Sequence, residues 1–269
     1  MSILKCPTCD KQLSKIDKQY KCVNNHSFDI AKQGYVNLLL NMSNKTHGDS
    51  REMLAARKRI QSKGYYHEIS KKLNSIVKSL NLNNKNILDI GCGIGYYPNE
   101  LFKVIPTASN VYGIDISKVA IKEAAKVNKD ITYLVGTNNN LPFIDNSVDL
   151  IISVFSPIYI KECLRVLKKS GKLLVVSPNQ NHLIELKEVI YETIIPKQED
   201  RNELKDYQLQ KIDTAFLKKQ ISVKDFDLYD IFLMTPHFFK SSINVKEAVK
   251  NIETISLTQD IIYDLYQKE

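Results

Sequence analysis

Three cysteines and one histidine near the start of the chain have the spacing of a metal site. Cys6 and Cys9 are separated by two residues, Cys22 follows after twelve more, and His26 after a further three. This C-x2-C-x12-C-x3-H pattern supplies four ligands from two short turns, which suits the tetrahedral coordination of zinc. With all four ligands in the protein, no position is left for a reacting water, so the expected zinc is structural. The alternative is a chance set of cysteines with His26 at the surface.

A glycine-rich turn in the middle of the chain has the form of a cofactor-binding loop. Gly91, Gly93 and Gly95 follow a predicted apolar strand, near 86–90, and precede a predicted helix. Bare backbone N–H groups and a helix N-terminus at such a turn let an anionic or polar cofactor approach closely. Tyr96 occupies the position where a dinucleotide-binding fingerprint needs its third glycine.

An acidic residue ends the next predicted strand. Asp115 lies twenty residues past Gly95, and a carboxylate at this position can accept hydrogen bonds from both hydroxyls of a ribose. Strand, glycine turn, helix and acid, in this order, resemble the S-adenosylmethionine (SAM) site of class I methyltransferases. Asn138, in a turn of three asparagines after a later strand, is placed to hydrogen-bond an adenine edge. A plain polar loop is the alternative for that turn.

The composition is that of a globular protein with an uneven charge. Of the 269 residues, 43% are hydrophobic and 25% are charged. No apolar run approaches the roughly 20 residues that cross a bilayer, and the N-terminus lacks the apolar core of a signal peptide, so a cytoplasmic location is expected. Residues 1–80 contain 15 Lys or Arg against 6 Asp or Glu, whereas residues 81–269 contain 23 against 24. The positive excess suggests a polyanionic partner, nucleic acid first, with solvated lysines as the alternative.

From residue 85 the chain alternates predicted strands and helices. Strands are expected near 86–90, 111–115, 131–135, 148–154 and 172–177, with shorter ones near 220–223 and 255–257. Helices are expected near 95–105, 117–127 and 159–168. Repeated βα units of this kind predict an α/β, Rossmann-like fold with a mostly parallel sheet covered on both faces.

Three parts are expected along the chain. A zinc-binding module covers 1–34, a basic helical linker covers 35–80, and a methyltransferase domain covers 81–269. The charged stretch from Pro196 to Lys211 suggests an insertion or lid, near 183–245, within the last part.

From Cys6 to its C-terminus, the chain resembles one family, the bacterial guanine-N1 methyltransferases of 23S ribosomal RNA, which include relatives that confer macrolide resistance. The segments that carry the resemblance are Cys6-Pro7-Thr8-Cys9 with Cys22 and His26, Phe28 to Leu39, Gly48 to Met53 with Ala56-Arg57, the glycine turn, Ile116 to Lys122, His182 to Lys187, and Met234-Thr235-Pro236. The chain departs from the family at two places. Tyr65 stands where relatives often carry histidine, and Ser177-Pro178-Asn179 replaces a turn that contains more glycine.

The resemblance implies cofactors, substrate and partners. It implies a SAM-dependent enzyme that methylates N1 of one guanine in a hairpin loop of domain II of 23S rRNA, with the zinc module helping to recognise the RNA, and it suggests a homodimer. The implied zinc ligands are Cys6, Cys9, Cys22 and His26, and the implied SAM contacts are Tyr66, Gly93, Ile94 and His182. With the residues chosen from the turn and the strand ends, the expected cofactor-binding set is Tyr66, Gly91, Gly93, Ile94, Gly95, Asp115, Asn138 and His182.

The sequence does not identify the group that accepts the proton from guanine N1. This base must leave its stack and lose a proton as N1 is alkylated. Phe155, Tyr159 and Phe238 are candidates for an aromatic slot, and His237 and Glu185 are candidates for the proton acceptor.

Two other classes of function stay open at this point. One is a methyltransferase of a small molecule, with the zinc module as a scaffold. The other is a zinc-dependent RNA-binding protein with an inactive SAM fold. The basic charge of residues 1–80 argues against the first, and the intact glycine turn with Asp115 argues against the second.

Overall fold

A computed structural model describes residues 2–40, 48–194 and 208–269 of the chain. Within these residues, a small N-terminal sheet precedes an eight-stranded central sheet that carries helices on both faces. The small sheet consists of β1 (Ser14–Ile16), β2 (Gln19–Lys21) and β3 (Ser27–Asp29). The central sheet consists of β4 (Val36–Asn37), β5 (Asn86–Ile90), β6 (Asn110–Asp115), β7 (Thr132–Val135), β8 (Val148–Val154), β9 (Leu167–Pro178), β10 (Leu209–Lys224) and β11 (Thr254–Lys268). The helices are α1 (Arg51–Ser62), α2 (His67–Ser79), α3 (Tyr96–Phe102), α4 (Lys118–Val127), α5 (Ile160–Val166), α6 (Ile184–Ile190), α7 (Phe226–Leu233), α8 (His237–Lys240) and α9 (Ile243–Lys250).

The central sheet has the strand order β10-β11-β9-β8-β5-β6-β7-β4. Neighbouring strands from β9 to β4 are parallel, and β11 is antiparallel to both of its neighbours. The chain runs outward from β5 through β6 and β7 and then returns to β8 on the other side of β5. In such sheets, ligands bind at the carboxyl ends of the strands where the order reverses. The prediction of an α/β fold with a mostly parallel sheet is confirmed.

The two faces of the central sheet carry separate apolar cores. Side chains alternate along each strand, so that in β5 Ile87 joins one core and Leu88 and Ile90 join the other. Helices α2, α3 and α4 cover the first face, and α2 contributes the buried Leu73. Helix α5 and the N-terminal segment cover the second face, with Cys163 of α5 buried there.

The N-terminal segment that carries the cysteines is docked on the central domain. Leu4 is fully buried in the second core, and full burial of a leucine stabilises by about 2 kcal/mol. The Lys5 N–H donates to the Pro142 carbonyl at 2.9 Å, and the Ile144 N–H donates to the Ile3 carbonyl at 3.0 Å. Folding of this segment is therefore coupled to the face of the sheet that it covers.

Three of the four basic residues of α1, Arg57, Lys58 and Arg59, are ion-paired. Arg59 donates from Nε and Nη2 to the two carboxylate oxygens of Asp230 in α7, both at 2.7 Å. Arg57 Nη1 lies 2.6 Å from Asp49 Oδ2, and Lys58 Nζ lies 3.7 Å from Glu123 Oε2. These pairs fasten α1 to the surrounding elements.

The structure differs from the sequence-based expectations in two regions. The stretch 35–80, expected as a helical linker, also contributes β4, whose Val36 pairs with Leu134 of the central sheet. The strands expected near 220–223 and 255–257 belong to a long antiparallel pair, β10 and β11, because each strand continues well beyond its short apolar core. Most of the charged stretch expected as a lid lies outside the described residues. None of the helices in the described part of the chain combines the length and the apolar composition that spanning a bilayer requires.

Candidate functional site

The four N-terminal ligand candidates come together in one cluster. Their Sγ and ring nitrogen atoms all lie within 4.8 Å of one another. His26 Nδ1 is 3.3 Å from Cys9 Sγ, 3.5 Å from Cys22 Sγ and 3.6 Å from Cys6 Sγ. Cys9 Sγ and Cys22 Sγ are 3.7 Å apart, close to the edge of about 3.8 Å expected for a tetrahedron of ligands about 2.3 Å from one ion.

Local backbone structure positions the cluster and favours the thiolate form of one of its cysteines. The Cys22 N–H donates to the His26 carbonyl at 3.1 Å in the turn between β2 and β3. The backbone N–H of Lys11 lowers the pKa of the Cys9 thiol to about 6, so the thiolate that binds metals is the main form at neutral pH. The Cys3His donor set and its spacing fit a structural zinc ion.

The glycine turn between β5 and α3 is built so that only glycine fits at two of its positions. Gly91 has a φ of +70°, and a Cβ atom there would overlap the Ser156 side chain. Gly95 has a φ of +80°, and a Cβ atom there would lie 2.6 Å from Tyr133 Oη. The positive φ angles are strained for any other residue, and the close neighbours leave no room for a side chain.

Asp115, at the end of β6, is tied to this turn. Its carboxylate accepts hydrogen bonds from the backbone N–H groups of Gly93 at 2.9 Å and Ser117 at 2.8 Å. Burial raises the pKa of Asp115, and the two backbone donors and Arg57 act in the opposite direction. An oriented carboxylate with oxygen lone pairs to spare suits recognition of a diol.

A cleft of about 760 Å³ opens at the carboxyl edge of the parallel strands, within the usual range of small-molecule sites. Seven of the eight expected cofactor-binding residues line it: Tyr66, Gly91, Gly93, Ile94, Asp115, Asn138 and His182. The eighth, Gly95, is not among the lining residues and packs against Tyr133 and Ala124 instead. The structure thus gathers the expected residues in one place, and their contacts with SAM stay predictions.

Asn138 holds the loop that follows β8. Its Nδ2 donates to Pro157 O at 3.2 Å and lies 3.4 Å from Ser156 Oγ. The amide group therefore positions the Ser156-Pro157 segment against the glycine turn, a structural task that the sequence did not indicate.

Three rings meet at the cleft. Phe155 stacks on His182 with 6.2 Å between ring centroids and 13° between planes, and it meets Tyr66 edge-on at 6.5 Å. Phe155 has a φ of +54° and is 40% exposed. A bulky residue in the left-handed region is strained, and such strain is concentrated at functional sites. Phe155 was expected as a slot candidate from the sequence, and its conformation adds support for this hypothesis.

His182 lines the cleft with one of its ring nitrogens already engaged. Its Nδ1 accepts from the Asp260 N–H at 3.3 Å, so in the neutral ring Nε2 carries the proton. Burial and the nearby Lys187 lower the pKa of His182 to about 4. The ring is therefore neutral at pH 7, with one nitrogen already accepting and the other protonated.

The structure places other groups in the cleft that sequence reasoning missed or misjudged. The Arg57–Asp49 ion pair lines the cleft, and so does Lys187. Because the partners are brought together only by folding, no local signal in the sequence pointed to these roles. Glu185, expected as a proton acceptor, is not a lining residue; its carboxylate accepts from the Thr258 N–H at 2.8 Å.

Two protein-family models match parts of the chain. The one described as "RlmA, N-terminal", a zinc ribbon, matches residues 4–45, and the one described as "Methyltransferase domain" matches residues 88–175. The first covers the cysteine cluster and the second covers the glycine turn and Asp115.

Curated relatives extend the similarity over most of the chain. The 23S rRNA (guanine(748)-N(1))-methyltransferase of Streptomyces fradiae is 33% identical over 186 residues, 68% of this chain and 66% of that protein. YxjB of Bacillus subtilis (strain 168), which carries the name of a 23S rRNA guanine-N1 methyltransferase, is 32% identical over 71% of this chain and 69% of that protein. A Micromonospora griseorubida protein with the same kind of name is 33% identical over 68% of each chain. The alignments therefore span about two thirds of the length of each relative, and just under two thirds of the Streptomyces protein.

Proposed function

The chain belongs to the family of 23S rRNA guanine-N1 methyltransferases, and from this premise we propose its reaction. It transfers a methyl group from SAM to N1 of a guanine in a hairpin loop of domain II of 23S rRNA. The observation that carries the proposal is a cleft lined by the glycine turn and Asp115 in a chain that also holds a docked Cys3His cluster. In a small-molecule methyltransferase the cluster would serve only as a scaffold, and the positive excess of residues 1–80 would have no polyanionic partner.

The cleft residues divide the task of holding the cofactor. When bound, SAM supplies a methyl group on a positively charged sulfur. Asp115 would hold the two ribose hydroxyls, since Gly93 and Ser117 fix its carboxylate at the cleft. The bare backbone of Gly91 and Gly93 would let the cofactor approach closely. Ile94, Tyr66, Asn138 and His182 would surround the bound cofactor. Their task is to align the methyl group with the acceptor nitrogen, because orientation supplies much of the rate of such a transfer.

The N-terminal module would contact the RNA. Lys15 and Lys18 are exposed in the β1–β2 hairpin. Exposed lysines on such a module attract phosphate groups without reading sequence. We propose that residues 1–34 act as this RNA-recognising unit, 35–80 as the connection, and 81–269 as the catalytic domain.

We also propose a homodimer in which strand β10 takes part. This strand forms one edge of the central sheet and exposes Ile212 by 41% and Phe216 by 59%. Exposed apolar residues on an edge strand favour pairing with another chain. Sedimentation velocity should give the mass of a dimer for the wild type and of a monomer for Phe216→Lys.

The experiment that tests the reaction is transfer of labelled methyl groups to unmodified 23S rRNA, followed by reverse transcription across domain II. Methylation at N1 blocks Watson–Crick pairing, so a methylated guanine gives a stop that identifies the nucleotide. The expected result is one new stop in a hairpin loop, lost in Asp115→Ala and kept in Asp130→Ala, an exposed acid outside the cleft. Transfer without a stop would contradict N1 as the target, and no transfer by protein that binds SAM and zinc would favour a small-molecule substrate.

A further inference from the structure

The proposed reaction needs a proton acceptor, and most acceptors in the cleft are already engaged. Among the described lining residues, the carboxylates and imidazoles are Asp49, Asp115, His182 and His237. Asp49 pairs with Arg57, and His182 accepts from the Asp260 N–H. Asp115 accepts from two backbone N–H groups, and the proposed function assigns its remaining lone pairs to the ribose hydroxyls. Burial raises the pKa of the Cys92 thiol, which keeps it protonated.

His237 differs from these groups in where its hydrogen bond lies. Its Nδ1 is 2.7 Å from the hydroxyl oxygen of Tyr191, and the two rings meet edge-on at 5.5 Å. His237 lines the cleft, whereas Tyr191 does not. The Nδ1 edge of the imidazole therefore faces Tyr191, and the Nε2 edge is the one left for a ligand in the cleft.

The hydroxyl of Tyr191 can accept the Nδ1 proton, which leaves a lone pair on Nε2. Burial lowers the pKa of His237, and the positive charges of Lys187 on α6 and Lys240 on α8 lower it further. The imidazole is accordingly neutral at pH 7 and able to take up a proton. Lys187 also lines the cleft, where a positive charge favours the anionic form of a bound base.

The cleft that His237 lines also offers surfaces for a planar base. Phe155 and Tyr159 line it and are 40% and 46% exposed. Flipped bases are commonly held between aromatic side chains. The segment Met234-Thr235-Pro236, which leads into α8, lines the cleft next to His237.

We propose that His237 is the catalytic base that removes the N1 proton of the target guanine, with Tyr191 as the residue that orients its ring. The inference rests on the proposed function. In the step, the N1–CH3 bond forms while the S–CH3 bond of the donor breaks, and the electron pair of that bond stays on the now neutral sulfur. The N1 proton passes to Nε2 of His237, which gives an imidazolium whose Nδ1–H donates to Tyr191.

The test compares single-turnover methyl transfer by the wild type, His237→Gln, Tyr191→Phe and His67→Gln across a range of pH. His67 is an exposed histidine outside the cleft and is the matched control. General-base catalysis is worth about 100-fold or more. We expect His237→Gln to lose about 100-fold at pH 7, with dissociation constants for SAM and RNA unchanged, and its rate to rise with pH as guanine ionises by itself.

The wild type should instead reach a plateau once His237 is neutral, and imidazole added to His237→Ala should restore part of the rate. Tyr191→Phe, as a positioning variant, should show a smaller loss and a displaced acid limb of the pH profile. A His237→Gln rate within threefold of the wild type, with an unchanged pH profile, would overturn the assignment of His237 as the base and leave the proposed function standing. A wild type that binds SAM and RNA yet forms no N1-methylguanine would overturn the proposed function and the assignment with it.

Discussion

The carboxylate of Asp115 accepts a hydrogen bond from the backbone N–H of Gly93 at 2.9 Å. This bond joins the end of β6 to the glycine turn after β5, so the acid and the turn hold each other in place across two neighbouring strands. A second bond, from the Ser117 N–H at 2.8 Å, ties the same carboxylate to the start of α4. Hydrogen bonds to one carboxylate therefore join the glycine turn, β6 and the start of α4 in the proposed cofactor-binding part of the cleft.

The first prediction concerns this carboxylate. In Asp115→Asn, the amide keeps the shape of the side chain but loses the charge and one acceptor, so the two ribose hydroxyls lose part of their binding site. We expect SAM to bind about 10-fold to 100-fold more weakly, a loss of about 1.4 to 2.8 kcal/mol, measured by isothermal titration calorimetry. Asp130→Asn, at an exposed loop, should bind as the wild type does; equal affinities for both variants would contradict the role of Asp115.

The second prediction separates backbone strain from crowding in the glycine turn. Gly91 and Gly64 both have positive φ angles, but a Cβ atom at Gly64 has no neighbour within 4 Å, whereas one at Gly91 meets Ser156. Gly64→Ala should lower the free energy of unfolding by about 1 kcal/mol, from strain alone. Gly91→Ala should lower it by about 3 kcal/mol, because overpacking adds to the strain. Urea denaturation measures the free energy of unfolding of both variants. Similar losses in the two would show that the Ser156 side chain moves aside at little energetic cost.

The third prediction is a pH dependence of stability caused by His182. Its pKa falls from the ordinary 6.5 to about 4 on folding, so between these values the unfolded chain binds more protons than the folded one. Stability must therefore decrease as the pH falls through this window, by about 2 kcal/mol between pH 7 and pH 5. Unfolding of the wild type and His182→Gln at both values should show this loss in the wild type only. Parallel losses would indicate that His182 titrates normally.

The fourth prediction concerns the metal. We expect one zinc per chain by elemental analysis, and none after Cys22→Ser. Because Leu4 and Lys5 link the cluster to the central domain, chelation should lower the melting temperature by roughly 10 °C. Cys163 is buried and lies outside the cluster, so the Cys163→Ala variant should still contain one zinc per chain. An unchanged melting temperature after zinc removal would mean that the module folds without metal.

The fifth prediction concerns the RNA-facing charge. The double variant Lys15→Gln/Lys18→Gln should bind the rRNA hairpin more weakly and reduce the slope of log K against log salt by about 1 for each phosphate that is no longer neutralised. The double variant Lys129→Gln/Lys169→Gln removes the same charge from exposed positions on the central domain. If both pairs reduce the slope equally, the attraction comes from overall charge and not from the N-terminal module.

Local patterns were enough to predict a large part of the fold and of the site. The cysteine and histidine spacing predicted the Cys3His cluster because both halves of the site are short turns, whose geometry depends on a few neighbouring residues. The turn from Gly91 to Gly95 and the alternation of strands and helices predicted the parallel sheet, because hydrophobic period and backbone conformation are local properties. The long β10–β11 pair escaped this reasoning, since its polar and charged residues hide the strand pattern.

What the sequence by itself determined is the set of chemical groups: the metal ligands, the glycine turn, Asp115 and the aromatic and histidine candidates. Only the tertiary structure decided their states. The proton of neutral His182 lies on Nε2 because Asp260, 78 residues away, presents its N–H to Nδ1, and Nδ1 of His237 is engaged because Tyr191, 46 residues away, places its hydroxyl there. Folding also places the Glu185 carboxylate against Thr258 and Gly95 against Tyr133, so that neither residue lines the cleft. Hydrogen bonds and burial between distant segments fix protonation and orientation, and no local pattern encodes which distant segments will meet.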